Sequence, residues 1–128
     1  MKRYLFLTLL VLLSSFNVIL ADNSDWTYYT KEWALVDMTP TGSYIAAGSW
    51  DGTIYLFDSS GKLIWNYVAP EMILSVSITP DGRYISAGSV DSIYLLKNDG
   101  TLLWKYPTKG YTRTAVTPDG KYIVAGSD

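Results

Sequence analysis

Three short motifs recur together along this chain at intervals close to 40 residues. They are a Thr-Pro-x-Gly turn, an Ala-Gly-Ser tripeptide and a Trp-x-Tyr tripeptide, and each occurs three times. Their first residues are Thr39, Thr79 and Thr117 for the turn, Ala47, Ala87 and Ala125 for Ala-Gly-Ser, and Trp26, Trp65 and Trp104 for Trp-x-Tyr. The intervals are 40 and 38 residues for the first two motifs and 39 residues, twice, for the third. Because the motifs advance together, the chain consists of repeated units of one fold.

Each unit has the pattern of short strands joined by tight turns. In the segment 73–78, apolar and small polar residues alternate, which is typical of a half-buried strand. The turn that follows combines Pro80, which presets the backbone, with Asp81 and with Gly82, which accepts a positive φ. Asn98-Asp99-Gly100 is a strong hairpin signal. The predicted strands are 33–39, 44–48, 53–57 and 63–67 in the first unit, 73–79, 84–88, 92–96 and 101–106 in the second, and 112–117 and 122–126 in the third.

Four antiparallel strands in about 40 residues is the period of a β-propeller blade. The predicted fold class is therefore all-β, an incomplete β-propeller with two full blades, half of a third, and an N-terminal outer strand. The predicted domains are a signal peptide at 1–21 and a partial propeller at 22–128, with repeats at about 33–67, 73–106 and 111–128 and a closing outer strand at about 26–30. A propeller closes into a ring with about four to eight blades, so we expect the sequence to be the beginning of a longer protein. The alternative is that several copies assemble into one ring.

The N-terminus has the pattern of an export signal. A positive start at Lys2 and Arg3 is followed by an uncharged run, and Ala21 precedes a polar segment. We expect cleavage after Ala21, although an uncleaved membrane anchor is the alternative. The predicted location is extracellular, cell-surface or periplasmic, with no membrane attachment after cleavage.

Two segments resemble known propeller families. The run from Thr79 to Ser89, Thr-Pro-Asp-Gly-Arg-Tyr-Ile-Ser-Ala-Gly-Ser, resembles WD-repeat propellers. The run from Phe57 to Trp65 resembles the tryptophan-docking repeat of quinoprotein-like, PQQ-type propellers. The Trp-Asp pair of WD repeats is missing, since Phe57-Asp58 stands in its place in the first unit. Both resemblances imply the fold but not one activity, because these families include enzymes, scaffolds and ligand-binding modules.

The composition excludes several kinds of chemistry. The sequence has no Cys and no His, so thiolate nucleophiles, histidine bases and Cys/His zinc sites are excluded. The net charge of -2 and the absence of a basic stripe argue against nucleic-acid binding. We expect no enzyme activity, no cofactor and no metal site. Five isolated acids lie in predicted turns, where we expect them to stabilise the backbone rather than bind calcium: Asp51, Asp58, Asp81, Asp91 and Asp119.

Residues that break the repeat are the candidates for function, because repeated positions carry the fold. Trp50 stands where the second unit has Val90, and Glu71 and Tyr111 lie in connections that lead into inner strands. We predict that Trp50, Glu71 and Tyr111 form a partner-binding surface. Trp33, Lys109 and Arg113 also depart from the repeat.

The predicted function is that of a secreted or cell-surface propeller module, a non-catalytic scaffold that binds an unidentified protein or glycan. Two alternatives remain open. One is a fragment of a quinoprotein-like, PQQ-type dehydrogenase, and the other is a structural module of a larger envelope protein.

Overall fold

A computed structural model of the chain describes residues 16–20 and 26–127, which form strands and no helix. The strands are β1 (Phe16–Leu20), β2 (Trp26–Thr30), β3 (Ala34–Met38), β4 (Tyr44–Ser49), β5 (Thr53–Asp58), β6 (Leu63–Val68), β7 (Ile73–Ile78), β8 (Tyr84–Ser89), β9 (Ser92–Lys97), β10 (Leu102–Pro107), β11 (Thr112–Val116) and β12 (Ile123–Ser127). From β2 onward, every strand end lies within one residue of the sequence-based prediction. Strand β1 was not predicted. It falls inside the predicted signal peptide, whose remaining residues lie outside the described part of the chain.

The strands form antiparallel sheets that follow the repeat. Two sheets have four strands, in the orders β3-β4-β5-β6 and β7-β8-β9-β10, and two have two strands, β11-β12 and β1-β2. This arrangement confirms the all-β class and the incomplete propeller blades. We call the sheets β3–β6, β7–β10 and β11–β12 the first, second and third units.

The first strands of the three units lie side by side and are linked by polar side chains. The carboxylate of Asp37 on β3 accepts the N–H of Ile78 on β7 at 2.9 Å. The hydroxyl oxygen of Ser75 on β7 accepts the N–H of Thr114 on β11, also at 2.9 Å. These bonds fix the units around a common inner edge, as in a propeller, where the first strand of each blade faces the centre.

The main core lies between the first and second units. Its fully buried members include Ile54 and Leu56 of the first unit and Ile85, Tyr94 and Leu96 of the second. Burying apolar surface between sheets is the dominant favourable contribution to folding, and a repeat unit achieves it only against a neighbour.

Glycine allows the units to approach closely. A Cβ at Gly48 would overlap the side chain of Ile73, and a Cβ at Gly88 would overlap the backbone carbonyl of Thr112. The Gly of Ala-Gly-Ser is therefore a packing requirement at each contact between units. At Gly126, in contrast, a Cβ would meet nothing within 4 Å.

The Thr-Pro-x-Gly turns have the predicted geometry. In the second unit, Gly82 has φ of 70° and donates its N–H to the Thr79 carbonyl at 2.8 Å. The Asp81 carboxylate accepts the Thr79 hydroxyl at 2.6 Å, and this bond, together with the N–H of Arg83, lowers the pKa of Asp81. The predicted role of the turn acids is confirmed, since hydrogen bonds within their own turns are made by Asp51, Asp58, Asp81, Asp91 and Asp119.

Candidate functional site

Two sets of loops meet on one face of the sheets, which we call the loop face. One set, 31–33, 69–72 and 108–111, leads into the first strand of each unit. The other set, 50–52 and 90–91, joins the second and third strands. Three backbone hydrogen bonds join the two sets. The N–H of Trp50 donates to the carbonyl of Trp33 at 2.8 Å, that of Ala69 to the carbonyl of Gly52 at 2.9 Å, and that of Thr108 to the carbonyl of Asp91 at 2.6 Å. The loops are therefore held as one surface.

A cleft of about 660 Å³ opens on this face, beside the first strands of the units. We call it the loop-face cleft. It is lined by Leu35, Trp50, Leu74, Tyr111, Arg113, Gly126 and Ser127. The structure thus brings together two of the three predicted site residues, Trp50 from the first unit and Tyr111 from the segment before β11.

Glu71, the third predicted residue, does not line the cleft. Its carboxylate accepts the hydroxyl of Tyr94 at 2.5 Å and pairs with the Lys105 ammonium at 3.1 Å. The Lys105 nitrogen also lies 5.2 Å from the centre of the Tyr94 ring. Glu71 is therefore engaged in holding loop 69–72 against the second unit, beneath the loop face.

This cluster shifts the pKa of two of its members. Burial, and secondly the hydrogen bond to the Glu71 carboxylate, raises the pKa of Tyr94. Hydrogen bonding with Tyr94, and secondly with Glu71, raises the pKa of Lys105. Both shifts favour the protonated forms that these bonds require.

Two exposed aromatic residues, Trp50 and Tyr111, line the cleft, and a third, Trp33, contacts Trp50. Trp33, Trp50 and Tyr111 are 55%, 43% and 58% exposed. The rings of Trp33 and Trp50 are in contact, with centroids 6.2 Å apart and planes inclined by 40°. Such rings offer apolar faces together with polar edges, a combination suited to ligands that carry both CH and OH groups.

Arg113 is the one charged side chain among the described residues that line the cleft. It lies on β11 and has no ion-pair partner within 16–20 and 26–127. The predicted surface of Trp50, Glu71 and Tyr111 did not include it. The repeat pattern could have pointed to Arg113. In the three units, the residues paired with the Gly of Ala-Gly-Ser are Leu35, Ser75 and Arg113. The third of these is therefore a cation at a repeated inner position.

Within 16–20 and 26–127, no group of three or more Asp or Glu side chains is arranged to hold a metal ion. No helix in those ranges is long and apolar enough to cross a membrane.

The fold and the arrangement of units define a β-propeller. Residues 33–126 match the model of the lambda-carrageenase β-propeller domain. The chain belongs to this family. No curated protein matches the chain in sequence.

Solved structures agree on the fold. The β-propeller domain of Myceliophteria thermophila Cps50 (Swd1) is similar over 73% of this chain, with a TM-score of 0.66 and 19% identity. Kuenenia stuttgartiensis hydrazine synthase is similar over 72%, with a TM-score of 0.64 and 16% identity. The matched region spans only 32% and 28% of those two chains. At such identities the likeness concerns the fold alone.

Proposed function

We propose that this chain is a non-catalytic, exported propeller module that binds an anionic glycan in the loop-face cleft. The observation that carries the proposal is the cleft itself, in which Trp50 and Tyr111 lie beside Arg113, the one charged side chain among the described residues of its lining. The family's name adds support, because carrageenan, on which a carrageenase acts, is a sulfated polysaccharide.

The aromatic residues would supply the apolar part of the binding. A sugar ring has faces of CH groups that stack on aromatic rings, and its hydroxyls can bond to polar groups at the rim. The contact between Trp33 and Trp50 limits the movement of both rings, which reduces the entropy lost on binding.

Arg113 would supply charge recognition. A guanidinium binds sulfate or carboxylate groups with paired hydrogen bonds. Glu71, an acid of loop 69–72, has its charge engaged by Lys105. This pairing reduces the repulsion that an anionic ligand would meet at the loop face.

Export would place the module where such polysaccharides occur. The support for export is the sequence pattern of residues 1–21, with its positive start, uncharged run and small residue at 21.

The test is binding of a sulfated galactan, lambda-carrageenan, followed by calorimetry, with the same galactan after desulfation as a second ligand. We expect the sulfated form to bind more tightly, and Trp50→Ala and Tyr111→Ala to weaken its binding about tenfold each. The matched control is Trp104→Ala, since Trp104 is 40% exposed, like Trp50, but lies outside the cleft. No binding by the folded wild type, or equal losses in all three variants, would refute the proposal.

A further inference from the structure

Strand β7 carries one residue more than the strands that take its place in the other two units. In each unit, the Ser and the Gly of Ala-Gly-Ser pair with residues of the first strand. These partners are adjacent in the first and third units, at 34–35 and 112–113. In the second unit they are Ile73 and Ser75, so Leu74 is the extra residue of a β-bulge. Such bulges are common beside functional sites, where they redirect a side chain.

The residues on either side of the bulge hold Leu74 in place. Ile73 is fully buried and packs against Gly48 of the first unit. The hydroxyl oxygen of Ser75 accepts the N–H of Thr114 of the third unit at 2.9 Å. Because Ile73 is fixed to one neighbouring unit and Ser75 to the other, the register of the strand around Leu74 is fixed.

Leu74 is half-buried and lines the loop-face cleft. It is the residue of the second unit in this lining, whereas Trp50 and Leu35 belong to the first unit and Arg113 to the third. Since β7 lies between β3 and β11, Leu74 stands between the aromatic part of the cleft and its cation. The bulge thus adds an apolar contact at the middle of the site.

From the bulge and its place in the lining we propose that Leu74 is a ligand-binding residue and that the cleft takes an oligosaccharide of at least two sugars, a proposal that rests on the glycan-binding function proposed above. One sugar stacks on Trp50, CH groups of the chain lie on Leu74, and an anionic group of another sugar binds Arg113. The cleft volume of about 660 Å³ lies in the range of about 300–1,000 Å³ that holds a drug-sized ligand. Such a ligand is larger than one sugar ring.

The arrangement makes affinity depend on the length of the glycan. A single sulfated sugar bound at Arg113 leaves the apolar part of the cleft unused, so a longer chain gains the contacts with Leu74 and Trp50. The register around Leu74 is set before the ligand arrives, which reduces the entropy lost on binding.

The first test compares two ligands, galactose sulfate and a sulfated tetrasaccharide of lambda-carrageenan, in nuclear magnetic resonance titrations of the whole chain. We expect the wild type to bind the tetrasaccharide at least tenfold more tightly than galactose sulfate. Leu74→Ser should weaken binding of the tetrasaccharide about tenfold and change binding of galactose sulfate less than twofold. Leu74→Met keeps an apolar side chain of similar volume and should retain the affinity.

Leu102→Ser is the matched control, since Leu102 is half-buried like Leu74 but lies outside the cleft. It should leave the affinity for the tetrasaccharide unchanged. A loss of affinity in both serine variants would mean that general destabilisation, not contact with the ligand, explains the effect at Leu74.

Deletion of Leu74 is the second test, because it gives β7 the pairing of β3 and β11 without a bulge. We expect the chain to fold and its affinity for the tetrasaccharide to fall tenfold or more. If the wild type binds the tetrasaccharide but Leu74→Ser binds it equally well, or galactose sulfate binds as tightly, Leu74 and the length requirement are refuted while glycan binding stands. If the folded wild type binds neither ligand, glycan binding itself is refuted, and the role of Leu74 with it.

Discussion

The indole of Trp65 lies against Gly100 in the next unit and donates its Nε1–H to the carbonyl oxygen of Asn98 at 2.8 Å. A Cβ at Gly100 would lie 3.1 Å from the ring, a contact so tight that the indole would have to shift by a few tenths of an ångström. This one side chain connects the outer strand of the first unit with the hairpin between β9 and β10.

Trp65→Ala should therefore lower the free energy of unfolding by about 3 kcal/mol, because it removes a large ring from the contact between units. Trp50→Ala, on the loop face, should cost less than about 1 kcal/mol. Urea unfolding of both variants measures the difference. Equal and small losses would contradict the assignment of Trp65 to the interface between units.

Gly88→Ala and Gly126→Ala form a matched pair, since both residues are the Gly of Ala-Gly-Ser on the second strand of a unit. A methyl group at Gly88 meets the Thr112 carbonyl, whereas one at Gly126 meets open space. We expect Gly88→Ala to destabilise the fold by about 2 kcal/mol or more and Gly126→Ala to have little effect. Thermal unfolding tests this, and similar melting temperatures for the two variants would be inconsistent with close packing at Gly88.

The cluster of Glu71, Tyr94 and Lys105 predicts a loss of stability at alkaline pH. The folded-state pKa values of Tyr94 and Lys105 are both raised. The stability that Tyr94 and Lys105 contribute is therefore complete below their unfolded-state pKa values, near pH 10. It is lost as the pH rises through their folded-state pKa values. Tyr94→Phe should lower the free energy of unfolding by about 1–3 kcal/mol at neutral pH, because Glu71 loses its buried donor.

The difference in unfolding free energy between wild type and Tyr94→Phe should shrink as the pH rises above 10. Denaturant titrations at a series of pH values measure it. Tyr106→Phe is the control, since Tyr106 is exposed on β10. If the difference in unfolding free energy between wild type and Tyr94→Phe stayed constant into the alkaline range, the pKa of Tyr94 would not be raised by folding.

The strands and the fold class could be predicted from sequence because the turns and the period are local signals. Trp50 and Tyr111 could be placed on one surface because, in related propellers, the loops after the second and fourth strands share a face. The role of Glu71 could not be predicted from the sequence, because its partners Tyr94 and Lys105 lie on other strands and meet it only when the second unit is packed. The contact between Tyr44 of the first unit and Gly82 of the second likewise appears only when neighbouring units are placed together.

Arg113 should determine the preference for a charged ligand. Arg113→Gln removes the charged donor from the cleft, so we expect affinity for the sulfated galactan to fall about tenfold or more and affinity for the desulfated form to change little. Binding of the sulfated form by wild type should also weaken as salt is added. An equal loss for both ligands would indicate that Arg113 maintains the shape of the cleft and does not recognise charge.

Glycan binding at the loop-face cleft can be followed through the indole N–H signals of the five tryptophans in a nuclear magnetic resonance titration. With oligosaccharides of lambda-carrageenan, we expect the signals of Trp50 and its neighbour Trp33 to shift. The signal of Trp65, which is bonded to Asn98, should stay in place. Shifts at Trp65 or Trp104 with none at Trp50 would show that the glycan does not bind in the loop-face cleft.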